Sequence, residues 1–128
     1  MSQANVDLVR SAYEAFRAGD MDTVAGLLAD TEWHEAQGMP YGGTYTGAEA
    51  IMSNVFGPIT QDVEDFTVQP DEMLDAGDKV VSLGHYAGRG AEGPVDSVHA
   101  HVWTIQEGKI VRFDQFADTK IFSEAVGK

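Results

Sequence analysis

Residues 98–116 read VHAHVWTIQEGKIVRFDQF, and this stretch decides the fold. Apolar and polar side chains alternate on both sides of Glu107-Gly108-Lys109, which is the pattern of two strands joined by a tight turn. A three-residue loop closed by a glycine bulge at Gly108 fits this spacing. The stretch therefore predicts a β-hairpin, and we expect the rest of the chain to cover one of its faces.

The turn sets which side chains of the hairpin share a face. A three-residue loop pairs Ile105 with Lys109, Trp103 with Val111, His101 with Phe113 and His99 with Gln115. One face then carries His99, His101, Trp103, Ile105, Val111, Phe113, Gln115 and Ala117. A two-residue turn at Glu107-Gly108 is the alternative, and it would place Arg112 and Asp114 beside the histidines, because one residue of slip exchanges the faces.

Composition limits the class of protein. The chain has 128 residues, 43% of them hydrophobic, which suits one domain spanning residues 1–128 with one core and a small cavity. It has no cysteine and a net charge of −13. Such a charge disfavours nucleic acid and anionic membrane surfaces as partners. The lack of cysteine, of a signal peptide and of a membrane-length apolar run predicts a cytoplasmic location.

Helix and strand patterns follow one another as helix, helix, strand, helix and four strands. Apolar spacing predicts helices at 4–18, 21–28 and 48–56, the last stopped by Gly57-Pro58. Strands are predicted at 31–36, 63–74, 79–88 and in the hairpin, with a loop at 37–47 and a short helix from Asp118. This order is typical of an α+β fold: a curved antiparallel sheet wraps around N-terminal helices and forms a cone with an internal pocket.

The short first strand carries a candidate catalytic acid. Alternation points Trp33 and Glu35 to one face and Glu32 and His34 to the other. An inward Glu35 would be desolvated, which raises the pKa of its carboxyl and makes it a usable general base near neutral pH. The alternative is a solvated Glu35 at the rim of the pocket, or one paired with a histidine or with Arg89.

The hairpin histidines have more than one interpretation. His101 is a candidate proton shuttle or oxyanion donor, or else a core histidine bonded to a neighbour. His99 and His101, with Glu35, would make two imidazoles and one carboxylate, but no other feature supports a metal, and we expect neither metal nor cofactor. The pattern leaves the face of His85 open. The residues that we expect to line a ligand site are Tyr13, Trp33, Phe56, His99, Trp103, Phe113 and Gln115.

The opposite face of the hairpin predicts a partner. Val102, Thr104, Ile110 and Phe116 lie there with Arg112 and Asp114, which makes the face too apolar to stay exposed. A two-fold homodimer packed sheet on sheet would cover it.

Several short motifs occur in order along the chain. They are Ala18-Gly19-Asp20-Met21-Asp22, Leu27-Leu28-Ala29-Asp30, Trp33-His34-Glu35, Gly42-Gly43-Thr44-Tyr45-Thr46-Gly47, His101-Val102-Trp103 and Gly108-Lys109-Ile110-Val111-Arg112-Phe113. With them the chain resembles the NTF2-like superfamily, and is closest to its SnoaL-like, ketosteroid-isomerase-related branch. The resemblance implies the cone-shaped fold, a dimer and a small-molecule pocket. The superfamily includes isomerases, cyclases, epoxide hydrolases, dehydratases and plain binding domains, so the fold alone assigns no reaction.

The resemblance also implies roles for particular residues. The general base of the steroid isomerases corresponds to Glu35. Their helix tyrosine corresponds to Ala12, or to Tyr13 if the helix is slightly rotated, and their late-hairpin acid corresponds to His101. The cyclase histidine also corresponds to His101, whereas the cyclase aspartate falls on Gln115, which does not ionise. The chain therefore reproduces neither site in full. We predict a small, mostly apolar ligand and cofactor-free acid–base chemistry of isomerase, dehydratase or hydrolase type, with a non-catalytic binding or dimerisation domain as the alternative.

Overall fold

The computed structural model describes residues 2–128, and these form an α+β fold as the sequence predicts. The helices are α1 (Gln3–Ala18), α2 (Met21–Leu27), α3 (Ala48–Ile51), α4 (Gly57–Asp62) and α5 (Thr119–Val126), with a π-helix (Met52–Phe56) between α3 and α4. The strands are β1 (Glu32–Glu35), β2 (Gly43–Thr46), β3 (Glu64–Ala76), β4 (Lys79–Gly90), β5 (Gly93–Pro94), β6 (Ser97–Gln106) and β7 (Lys109–Ala117).

The strands form one curved sheet in the order β2-β1-β7-β6-β4-β3, with β5 paired to β4. All the neighbours are antiparallel except β1 and β7, which run parallel and pair Trp33 with Phe113. The expectation of a wholly antiparallel sheet is therefore wrong at this pair. The pairing joins residues 80 positions apart (113 − 33 = 80), so local patterns contain no sign of it.

The hairpin β6–β7 forms as predicted, but its turn is the two-residue one. Glu107 and Gly108 both have positive φ, 52° and 75°, and Gln106 pairs with Lys109 across them. These are the backbone angles of a type I′ turn, whose twist matches that of the strands. The prediction of a three-residue loop is therefore wrong, and so are the four pairs that it implied: Ile105–Lys109, Trp103–Val111, His101–Phe113 and His99–Gln115.

A bulge keeps the predicted faces despite the shorter turn. The register shifts between Ile105–Ile110 and Thr104–Arg112, so Val111 is the extra residue. Beyond it Trp103 pairs with Phe113, His101 with Gln115 and His99 with Ala117. Because one extra residue changes the parity of the strand, the side chains of these six residues face inward as expected. Ile110, placed on the outer face by the sequence pattern, is instead buried at 1% exposure.

Two other predictions about element boundaries are wrong. Gly57-Pro58 does not stop the helix that begins at Ala48, because helical structure continues through the π-helix and α4 to Asp62. Pro58 lies in the first turn of α4, immediately after the π-helix, where the helical hydrogen-bond pattern changes. The predicted loop 37–47 contains β2, which pairs with β1.

Candidate functional site

Strand β1 carries the buried carboxyl of the site. Its inward side chains are Trp33 and Glu35, which are 6% and 4% exposed, while Glu32 and His34 face outward as predicted. Trp33 Nε1 donates to Glu35 Oε1 over 2.9 Å. Among residues 2–128, Glu35 Oε2 has no hydrogen-bond partner. Burial raises the pKa of Glu35 to about 7, although the hydrogen bond from Trp33 opposes the shift.

His101 lies between two tyrosine hydroxyls. The Tyr13 hydroxyl is 2.6 Å from Nδ1 and the Tyr86 hydroxyl is 2.7 Å from Nε2. The ring is 4% exposed, and burial holds the pKa of His101 well below its ordinary value, with a further lowering from His99. The imidazole is therefore neutral at physiological pH, donating through one nitrogen and accepting through the other.

Each tyrosine is held by further groups. Trp103 Nε1 donates to the Tyr13 hydroxyl over 3.1 Å, and the same hydroxyl bonds the hydroxyl of Ser82, a fully buried residue of β4. On the other side, Gln115 Nε2 donates to the Tyr86 hydroxyl over 2.8 Å. The five side chains form one continuous hydrogen-bonded chain through the interior, in the order Ser82, Tyr13, His101, Tyr86 and Gln115.

A cavity of about 60 Å³ lies beside these groups. Aromatic rings form much of its wall. Of the predicted site residues, those that line it are Tyr13, Trp33, Glu35, Phe56, His101, Trp103, Phe113 and Gln115. Ala12 lines it too, and of Ala12 and Tyr13 only Tyr13 brings a hydroxyl to this region. The carboxyl and the hydroxyl chain thus face one largely apolar space.

His99 does not line the cavity. Its ring stacks on the His101 ring at a centroid distance of 3.9 Å and an interplanar angle of 7°, and it lies 4.4 Å from the Tyr86 ring. The position of His99 therefore does not support the predicted ligand contact: it packs behind His101. His99, His101 and Glu35 also form no metal-binding group, since no cluster of three or more such side chains exists within residues 2–128.

Tyr86 and Ser82 are site residues that the sequence did not single out. Both lie on β4, where alternation separates them from Val81, Leu83 and His85, but the pattern alone did not show which set faces inward. The structure places His85 outside, where Nδ1 is 2.9 Å from Asp71 Oδ2. Composition does not separate the two faces, because the outer one carries Val81 and Leu83 while the inner one carries Ser82 and Gly84 beside Tyr86.

Three half-buried phenylalanines also border the cavity: Phe16 of α1, Phe56 of the π-helix and Phe66 of β3. The Phe16 ring meets the Phe56 ring edge-on at 5.1 Å and the Phe66 ring edge-on at 6.4 Å. Phe56 is the one of the three that belongs to the predicted ligand site.

Comparison with known proteins assigns the family. The model of the SnoaL-like domain matches residues 9–113. The chain belongs to the SnoaL-like family. The SnoaL-like domain resembles in structure an NTF2-like protein from Burkholderia thailandensis E264, with 34% identity, a TM-score of 0.90 and 98% of each chain covered. Among proteins with curated descriptions, none matches it significantly.

Two other solved structures are similar to this SnoaL-like domain. One is TerC co-crystallised with polyporic acid, with 25% identity, a TM-score of 0.88, and 98% of this chain and 100% of that chain covered. The other, from Catenulispora acidiphila, has a ketosteroid isomerase-like fold, with 20% identity, a TM-score of 0.77, and 94% and 92% covered. The predicted resemblance to the NTF2-like superfamily and its SnoaL-like branch is thus confirmed. Within residues 2–128, no helix has the length and apolar character to span a membrane.

Proposed function

We propose that this SnoaL-like domain binds a small, largely apolar organic molecule in the cavity and carries out cofactor-free acid–base chemistry on it, of isomerase, dehydratase or hydrolase type. The observation that carries the proposal is the Glu35 carboxyl: it is 4% exposed, has one unpartnered oxygen among the described residues and borders the aromatic cavity. We assign Glu35 as the general base.

The environment of Glu35 suits that role. A pKa of about 7 leaves a large fraction of the carboxyl ionised at neutral pH, yet makes the carboxylate a stronger base than one in water. The hydrogen bond from Trp33 fixes Oε1 and leaves Oε2 to receive a proton from carbon or from water. A positioned general base typically contributes about 10²–10⁴-fold to a rate.

The tyrosine hydroxyls would stabilise the negative charge that develops on the substrate. Both ring nitrogens of His101 already contact tyrosines, so His101 acts through Tyr13 and Tyr86 rather than by touching the substrate. A neutral hydroxyl in an apolar, water-poor cavity is an effective donor to a developing oxyanion. A substrate carbonyl near Tyr86, with its acidic C–H directed at Glu35, would satisfy both groups.

The wall of the cavity favours an unsaturated or aromatic ligand, since flat rings pack well against Trp33, Trp103 and Phe113. The similar structure of TerC with polyporic acid supports the same class of ligand. The volume of about 60 Å³ is well below the ~300–1,000 Å³ of typical ligand sites. We therefore infer that the half-buried rings of Phe16, Phe56 and Phe66 move outward to admit the ligand.

The test is exchange of carbon-bound hydrogen. Small aryl ketones such as acetophenone are incubated with the protein in D₂O, and deuterium incorporation at the α-carbon is followed by NMR. We expect the wild-type protein to accelerate exchange and Glu35→Gln to lose that acceleration by about 10²–10⁴-fold. The matched control is Glu32→Gln, a carboxylate on the same strand that faces outward, which should exchange at the wild-type rate. Equal rates in wild type and Glu35→Gln would overturn the assignment.

A non-catalytic binding domain is the second candidate. It is favoured by Gln115, a non-ionisable amide at the position of the cyclase acid, and by His101, whose two nitrogens are both occupied by protein groups. Native mass spectrometry of the purified protein distinguishes the two. A co-purified aromatic ligand with no Glu35-dependent exchange supports binding alone.

We also propose that the protein is a cytosolic homodimer that packs through the outer face of the sheet. Val98 and Phe116 on that face are 67% and 58% exposed, and Leu83 is 37% exposed. Beside them, Arg112 and Asp114 form a paired charge, with Nε 2.9 Å from Oδ2. Contiguous apolar side chains with polar groups beside them are typical of association surfaces.

A further inference from the structure

We propose that His101 is a positioning residue whose ring tautomer decides whether Tyr86 has a hydroxyl hydrogen available for a ligand. The inference deepens the proposed function and rests on it in one respect, namely that the ligand presents an acceptor oxygen to the cavity. The inference rests on the hydrogen-bonded chain of five side chains. Only certain placements of the hydrogens give each bond in that chain one donor and one acceptor.

The Gln115 end of the chain has a fixed direction. The backbone N–H of Ala36 donates to Gln115 Oε1 over 2.9 Å, so the oxygen of the amide is on that side. The nitrogen of the amide therefore faces Tyr86 and donates to its hydroxyl oxygen over 2.8 Å. The Tyr86 hydrogen has no reason to turn toward Gln115, which offers it only N–H groups.

The Tyr13 end is fixed in part. Trp103 Nε1 has only a hydrogen to offer, so it donates to the Tyr13 oxygen. Tyr13 has one hydrogen of its own, and two neighbours could accept it: the Ser82 hydroxyl and His101 Nδ1. Which neighbour accepts it depends on the nitrogen of His101 that carries the proton.

One tautomer occupies Tyr86. When Nδ1 carries the proton, it donates to Tyr13, and Tyr13 donates to Ser82. Nε2 is then an acceptor and takes the hydrogen of Tyr86. In this arrangement the one hydrogen left without a partner is that of Ser82, and Tyr86 has nothing to donate to the cavity.

The other tautomer releases Tyr86. When Nε2 carries the proton, it donates to the Tyr86 oxygen, which then accepts from both His101 and Gln115. Tyr13 donates to Nδ1 and Ser82 donates to Tyr13. The hydrogen of Tyr86 is now available, and Tyr86 lines the cavity. Both arrangements hold the same number of hydrogens and keep the ring neutral: one proton leaves Nδ1 and one arrives at Nε2.

Ligand binding would select between the two arrangements. Without a ligand, each form leaves one hydroxyl hydrogen of the chain unpartnered, that of Ser82 in the Nδ1–H form and that of Tyr86 in the Nε2–H form, so neither form has more hydrogen bonds than the other. A ligand oxygen that accepts the hydrogen of Tyr86 stabilises only the Nε2–H form. A buried donor left unpaired is costly enough to change the ratio of the tautomers by roughly tenfold or more. The histidine thus couples the ligand to groups that the ligand does not touch.

The first test observes the tautomer directly. Protein labelled with ¹⁵N-histidine is studied by two-bond ¹H–¹⁵N correlation at neutral pH, with the His101 signals identified by their loss in His101→Gln. We expect saturating acetophenone to shift the tautomer ratio toward Nε2–H by about tenfold or more. Ethylbenzene, which lacks the carbonyl oxygen, should leave the ratio unchanged. A ratio that acetophenone does not move overturns the proposal.

The second test needs no ligand. In Tyr86→Phe, Nε2 loses its partner, and because a buried unpaired N–H is rarer than an unpaired acceptor, the ring should hold its proton on Nδ1. In Tyr13→Phe the same reasoning places the proton on Nε2. The matched control, Tyr41→Phe, removes a buried hydroxyl that donates to Asp62 outside the cavity, and it should leave the tautomer as in wild type. The same tautomer in both Tyr86→Phe and Tyr13→Phe would contradict the proposal.

The two tests separate this inference from the proposed function. If exchange depends on Glu35 but acetophenone does not change the His101 tautomer, Glu35 remains the general base and the coupling between ligand and tautomer is refuted. Opposite tautomers in the two variants without any Glu35-dependent exchange support the hydrogen-bonded chain and refute the catalytic assignment.

Discussion

The two faces of strand β1 place the same kind of side chain in opposite environments. Glu35 points inward and is 4% exposed, whereas the Glu32 side chain, three residues earlier, is 48% exposed and lies 3.5 Å from His34. The histidines differ in the same way: His101 is enclosed by tyrosines, and His85 pairs with Asp71 at the surface. The comparison teaches that burial on the inner face of the sheet raises the pKa of Glu35 and lowers that of His101.

The largest effect should come from an inner aromatic residue. Phe113 is 1% exposed and its ring stacks on Trp33 at 3.6 Å, so Phe113→Ala should lower the free energy of unfolding by about 3–5 kcal/mol. Phe116→Ala, on the outer face, should cost no more than ~1 kcal/mol in dilute protein. Chemical denaturation at several protein concentrations measures both.

The same pair of variants also tests the proposed dimer. If the outer faces pack together, wild type and Phe113→Ala should gain stability with protein concentration, and Phe116→Ala should gain less. Wild-type stability that does not depend on concentration would argue against a dimer through this face.

The next effect is a dependence of stability on pH. The folded protein holds the Glu35 proton up to about pH 7, whereas the ordinary pKa is 4.5. Between these values the folded state binds more protons than the unfolded state, so the free energy of unfolding falls as the pH rises. Above this window the loss should be on the order of 3 kcal/mol.

Denaturation at a series of pH values measures this loss. Glu35→Gln should remove that part of the pH dependence and be more stable than wild type at alkaline pH. Glu32→Gln should retain the slope, and an unchanged slope in Glu35→Gln would assign the pH dependence to another group.

The smallest effect concerns the turn that holds the two faces in register. Glu107 has φ of 52°, which a glutamate adopts less readily than an asparagine, the residue preferred in type I′ turns. Glu107→Asn should therefore raise the free energy of unfolding by about 0.5–1 kcal/mol. Thermal and urea denaturation measure this gain, and a loss of stability would show that Glu107 makes a compensating interaction.

The features that the sequence predicted correctly depend on residues close together along the chain, and the features that it missed depend on residues far apart. Alternation along one strand correctly placed Trp33, Glu35, His101 and Trp103 inward, because it depends only on neighbouring residues. The parallel pairing of β1 with β7 and the inward face of β4 depend on distant parts of the chain. Tyr86 was missed for that reason, although it completes the hydrogen bonds of His101. The partners of His101 come from α1 and β4, and no local pattern unites them.

The bulge at Val111 has a consequence for how the sequence of such a hairpin can change during evolution. It separates the length of the turn from the orientation of the strand beyond it. A one-residue insertion or deletion at the tip would exchange the two faces in a regular hairpin, but here the gain or loss of the bulge restores them. Homologues are therefore expected to vary in the length of this tip while Trp103, Phe113 and Gln115 still face inward. Turn length and bulge should change together as a compensating pair.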